Sequence, residues 1–84
     1  MMDYELSDTV ELMCSKDYKE RFRAEYHQLL IRYEKLRLMV SEWDYGKLTF
    51  TPTCPREIYE RQIKAMIAYI GALEKRAEIE NVTL

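Results

Sequence analysis

SKDYKERFRAEYHQLLIRYEKLRLMVSEW, residues 15–43, is the stretch that decides the fold of this chain. Within it Phe22, Tyr26, Leu29, Tyr33, Leu36, Val40 and Trp43 follow one another at spacings of 4, 3, 4, 3, 4 and 3. Such a repeat keeps one apolar stripe on one side of an α-helix through successive turns. Ser15 is placed to cap the helix, with Asp17 and Glu20 in a first turn whose dipole favours acidic side chains. The pattern predicts a helix over about 15–42, ending near Gly46.

The same spacing returns downstream. Cys54-Pro55-Arg56-Glu57 reads as a helix start, with Cys54 a possible cap and proline at the first helical position. Tyr59, Ile63, Met66, Ile70, Leu73 and Ala77 then repeat the 4, 3 rhythm, which predicts a second helix over about 55–80 ended by Asn81. Between the helices, residues 43–54 carry turn chemistry at both ends. Leu48 and Phe50 alternate there with threonines as a short extended stretch that would cover the open end of the helices. Two long helices joined by so short a loop pack antiparallel. A register that pairs Phe22 with Glu80, Leu29 with Leu73, Leu36 with Met66 and Trp43 with Tyr59 joins the two apolar stripes. On the flank it sets Glu25 near Arg76, Arg32 near Tyr69 and Met39 near Gln62.

The expected fold is therefore all-α: an antiparallel two-helix hairpin over 15–84, with a short acidic N-terminal segment, 1–14. That segment holds Asp3, Glu5, Asp8 and Glu11 and no basic residue. Leu6, Val10 and Met13 give it one amphipathic turn, which Asp8 and Glu11 would cap. The rest of the chain carries 13 Lys/Arg against 11 Asp/Glu, far from the basic excess of a protein that grips a DNA or RNA duplex. No apolar run reaches the length of a membrane span and no signal peptide opens the sequence, which points to the cytoplasm. Cys14 and Cys54 fall at opposite ends of a helix roughly 40 Å long, too far apart for a disulfide.

At 84 residues, one domain struggles to close a sufficient core by itself. Ala24, Ile31 and Leu38 lie seven apart on the far side of the first helix, and Ile58, Ala65, Tyr69 and Ala72 widen the apolar arc of the second. Burying these patches calls for a homo-oligomer, a dimer or higher, forming a helical bundle.

Signs of catalysis are absent. Gly46 and Gly71 stand alone, so no glycine-rich phosphate loop exists. His27, on the polar side beside Glu20 and Glu34, reads as a solvated histidine without a nucleophile at helical spacing. Two cysteines and one histidine do not make a structural zinc site, and no cofactor is implied. The strongest polar constellation is the stripe Glu25, Arg32, Gln62, Tyr69 and Arg76. It serves either as interhelical bonds that fix register or as a groove where Arg32 and Arg76 meet an anionic ligand and Tyr69 stacks on it. A second constellation is the turn Trp43, Asp44, Tyr45, Gly46 and Lys47. Trp43, Tyr45 and Lys47 suit either a packed helix end or a binding surface.

Asp17-Tyr18-Lys19-Glu20-Arg21-Phe22-Arg23-Ala24-Glu25-Tyr26, with Leu29, Arg32 and Lys35-Leu36, resembles small tailed-phage helical hairpin proteins. So does Leu48-Thr49-Phe50-Thr51-Pro52-Thr53-Cys54-Pro55 followed by Gln62, Met66, Tyr69, Leu73 and Arg76-Ala77-Glu78-Ile79-Glu80. This is the crAss-like-phage-related short protein family, and the likeness covers about residues 16–84. The resemblance implies a small phage accessory protein in a bacterial host cytoplasm, acting against host immunity. One mode it implies is a sponge for a cyclic or ADP-ribose-derived nucleotide signal, held between protomers. The other is a protein-binding inhibitor of a host defence protein, anti-CRISPR-like, using the acidic start and the Trp43–Tyr45 turn. A structural or assembly factor is the third possibility. No catalytic residue is carried over.

Overall fold

The computed structural model describes residues 5–84, so Asp3 of the acidic segment lies outside the described residues. Over that range the chain is all-helical, with no strand. A 3-10 turn, Leu6–Thr9, runs into a one-turn helix α1 (Val10–Met13), followed by the long helices α2 (Tyr18–Asp44) and α3 (Arg56–Glu80). The molecule measures 43 × 24 × 21 Å.

Helix α2 starts later than its sequence suggests. Asp17, not Ser15, is the N-cap: its backbone is extended at φ −80°, ψ 119°, and its carboxylate accepts from the Lys19 amide at 2.9 Å. Ser15 instead donates its hydroxyl to Glu20 (2.5 Å) and accepts from the Asp17 amide (3.0 Å). The helix runs on past residue 42 to Asp44, and Gly46, at φ +69°, turns the chain away in a conformation that glycine adopts without strain. At the start of α3, Pro55 is the cap, so Cys54 plays no capping part. Asn81 ends α3 in the left-handed region, φ 55°, as the sequence led us to expect.

Helices α2 and α3 pack antiparallel. Tyr18, opening α2, donates to Glu80, closing α3, and Trp43 meets Tyr59 edge-on at 5.9 Å at the other end. The core between them joins Phe22, Tyr26, Leu29, Leu73 and Ala77, with Leu30, Met66 and Ile70 packed against it. Each fully buried aliphatic side chain of this kind contributes about 1.5–3 kcal/mol. Val82 completes the core rather than trailing off: it is 7% exposed, and its amide donates to the Ala77 carbonyl at 2.9 Å. Three hydrogen bonds from α2 hold this end, Tyr18 to Glu80, Lys19 to the Asn81 carbonyl (3.2 Å) and Arg23 to the Thr83 carbonyl (2.6 Å).

The acidic N-terminal segment is the largest departure from expectation. Instead of a lead-in beside a two-helix unit, it folds back as a third helical element on α2. Its inward residues are Leu6, Thr9 and Leu12. Val10 and Met13, expected inside, are 49% and 47% exposed. Its first turn is fixed by the Glu5 amide donating to Asp8 at 2.9 Å, not by Asp8 paired with Glu11. Thr9, fully buried, donates to the Leu6 carbonyl (2.7 Å) and accepts from Gln28 of α2 (3.0 Å). Gln28 shares a helix face with Ala24 and Ile31, 1% and 4% exposed, so this segment covers the apolar far side of α2 that was expected to seek another chain. Leu38, farther along, stays 59% exposed. In the connecting loop Leu48 is half-buried and Phe50 is 57% exposed, so Phe50 does not cover the helix ends.

Candidate functional site

The polar stripe is assembled from α2 and α3, but its pairs differ from the expected ones. Tyr69 donates its phenol to Glu25 and not to a site beside Arg32, which is exposed on α2. That hydrogen bond to a carboxylate raises the Tyr69 pKa. Arg76 does not pair with Glu25. Its guanidinium lies 4.8 Å from the centre of the Phe22 ring, donates to Tyr18 Oη (2.7 Å) and to Glu80 Oε2 (3.2 Å), and leaves Glu25 to Tyr69. The reason is local. An arginine one turn from Glu80 on its own helix, with an aromatic face beneath it, gains an i,i+4 ion pair and a cation–π contact together. Hydrogen bonds from Tyr18 and Arg76 in turn hold the Glu80 carboxyl below its usual pKa.

Tyr69 and Arg76 thus lie on one face of α3 with Gln62, which is exposed. The same face carries a shallow depression lined by Ile58, Arg61, Gln62, Lys64 and Ala65. Arg61 and Lys64 did not stand out in the sequence. Their signal is a spacing of three and six residues from Ile58, which places their charges around an apolar position rather than along a stripe. Arg32, Gln62, Tyr69 and Arg76 therefore do not converge on one pocket. Gln62 borders the depression, Tyr69 and Arg76 are engaged with Glu25 and Glu80, and Arg32 projects from α2.

The turn constellation also separates. Trp43 is half-buried against Tyr59, whereas Tyr45 is 78% exposed and Lys47 is exposed. The turn is closed by backbone bonds from Gly46 to Trp43 (3.0 Å) and from Lys47 to Glu42 (2.8 Å). Just behind it Arg56 grips Asp44 through two nitrogens, at 3.0 and 3.2 Å, and these hydrogen bonds hold the Asp44 carboxyl below its usual pKa. Tyr26 donates to Glu74 at 2.6 Å, and burial, reinforced by that carboxylate, pushes its phenol up to about 12. His27 is half-buried, not solvated; burial, with Arg23 nearby, lowers its pKa. Cys14 and Cys54 are free thiols, and among the described residues no three His, Cys, Asp or Glu side chains gather to hold a metal. No helix among the described residues is long and apolar enough to cross a membrane.

Fold and surface together define a small all-α protein whose exposed chemistry is a mixture of apolar positions, tyrosines and cations. The chain belongs to the Sequestin family, whose model matches residues 16–79, all of α2 and nearly all of α3. Neither a curated protein nor a solved structure matches it.

Proposed function

We propose that this chain is a non-enzymatic sequestering protein of phage origin that captures a nucleotide-derived signal in the cytoplasm of a bacterial host. The signal is of cyclic or ADP-ribose-derived type and is bound between protomers of a homo-oligomer, which withdraws it from host immunity. The observation that carries the reading is the Sequestin match over residues 16–79, since the family name fits sequestration. The exposed surface supports it: Tyr69 offers a ring for a base, and Arg32, one heptad along α2 from Glu25, offers charge for phosphates.

Thermal shift against cyclic dinucleotides, cyclic oligonucleotides and ADP-ribose derivatives tests the proposal, because a ligand bound only by the native state raises Tm. Binding by one member of the panel, lost in Arg32→Ala with assembly intact by light scattering, supports it. No shift with any member, together with co-purification of a host protein, overturns it. That outcome favours the second reading, a protein-binding inhibitor of a host defence protein. Its supporting observation is the projecting aromatic pair Tyr45 and Phe50, 78% and 57% exposed, beside Lys47.

A further inference from the structure

The outer face of α3 carries its own heptad pattern, separate from the one that faces α2. Ile58, Ala65, Ala72 and Ile79 lie seven apart, and all four are exposed, Ile79 by 70%. Ala65, Ala68 and Ala72 at the middle leave room for another backbone to come close. The depression on this face is lined by Lys64 together with Ile58, Arg61, Gln62 and Ala65, the last four spaced i, i+3, i+4 and i+7. Positions i, i+3, i+4 and i+7 are the four that form a hole for a knob from a facing helix.

We propose that this face pairs with the same face of a second copy, α3 against α3 and antiparallel, with Ile79 of the second copy filling the depression. One register then satisfies the whole face. Ala72 of the second copy enters the hole formed by Ala65, Ala68, Tyr69 and Ala72. Ala65 of the second copy enters the one formed by Ala72, Lys75, Arg76 and Ile79. The arrangement is two-fold symmetric, as a closed homodimer requires. Charge follows the same register: Glu78 of the second copy falls between Arg61 and Lys64. In this register residues 61–80 of the two helices overlap, so the shared strip is about 30 Å long and one helix wide, roughly 300 Å² per copy. Stable complexes bury about 800 Å² per partner, which makes this a concentration-dependent dimer. The inference rests on the inter-protomer part of the reading above and assigns its location.

Sedimentation velocity over a concentration series, on the full chain, tests the pairing. The expected result is a shift from 10.2 kDa toward twice that mass. Ile79→Asp and Ala68→Glu, both at exposed positions, should weaken association at least tenfold with an unchanged helical circular dichroism spectrum. Arg61→Glu and Glu78→Arg should each weaken it several-fold, and their combination should regain most of the loss. A chain that stays monomeric at every concentration overturns the proposal. So does a dimer indifferent to Ile79→Asp, or a charge-swapped double variant no better than the singles. A dimer indifferent to Ile79→Asp that still binds a nucleotide would sink this pairing and leave inter-protomer sequestration standing. A dimer that binds none would do the reverse.

Discussion

Two faces of this molecule carry aliphatic side chains seven residues apart, and the fold treats them differently. On α2, Ala24 and Ile31 are sealed under the chain's own N-terminal segment, and only Leu38 remains open. On α3, Ile58 and Ile79 are 40% and 70% exposed, and Ala65 and Ala72 are exposed between them. The α2 face has a polar anchor for its cover, Gln28, which donates to Thr9 and to the Met13 sulfur (3.3 Å). The α3 face is bordered instead by Arg61, Lys64 and Lys75. An identical periodicity therefore means core in one helix and surface in the other. The difference lies in what a short neighbouring segment can reach.

Substitutions can break this contrast in order of expected effect. Ile31→Ala should destabilise the chain by about 2–3 kcal/mol, since it leaves a cavity under a thin cover. Ile67→Ala, on exposed α3 surface, should stay within about 0.5 kcal/mol. Urea midpoints measure both, and equal losses would erase the distinction. Gln28→Ala should cost about 1 kcal/mol by leaving the buried Thr9 hydroxyl short of a partner. In hydrogen exchange it should loosen residues 6–13 while α3 keeps its protection.

A third test concerns the seam between α2 and α3. The Tyr26 phenol has a folded pKa raised from about 10 to about 12, so its neutral, bonded form stabilises the fold. That contribution is complete below pH 10 and is lost as pH climbs through about 12. Tyr26→Phe should flatten the pH dependence of Tm in this window, and an unchanged slope would show that the phenol is not coupled to folding. The smallest effect is expected from Asp44→Asn. The Arg56 pair is solvent-exposed, so the urea midpoint should hardly move, and any loss should shrink as salt rises.

The long helices were legible because seven side chains at 4, 3 spacing leave little freedom in where a helix can lie. The ends were less so. Ser15 and Asp17 are equally suitable caps by type, and backbone geometry at Asp17 decides between them. The N-terminal cover was illegible for a different reason. One turn of 3-10 helix and one of α-helix are too short for periodicity to show which side turns inward, so the spacing of Leu6, Val10 and Met13 misplaced the inward side, which is Leu6, Thr9 and Leu12. The site was legible by residue type but not by pairing. Long side chains such as Arg76 reach a full turn in either direction, so register alone does not choose between Glu25 and Glu80. Arg61 and Lys64 were missed because they surround an apolar position instead of forming a stripe.

The double clasp at one end of the molecule, Trp43 on Tyr59 and Arg56 on Asp44, has a practical consequence for engineering. Both contacts involve residues outside the intervening loop, 45–55, so the helices are held together without it. Doubling the length of such a loop costs only about 0.6 kcal/mol in closure entropy. A peptide tag or a fluorophore-bearing insertion between Lys47 and Thr51 should therefore be accepted with the helices undisturbed. It would put a reporter at the far end of the 27-residue α2 from the Tyr18–Glu80 contact, about 40 Å along the helix.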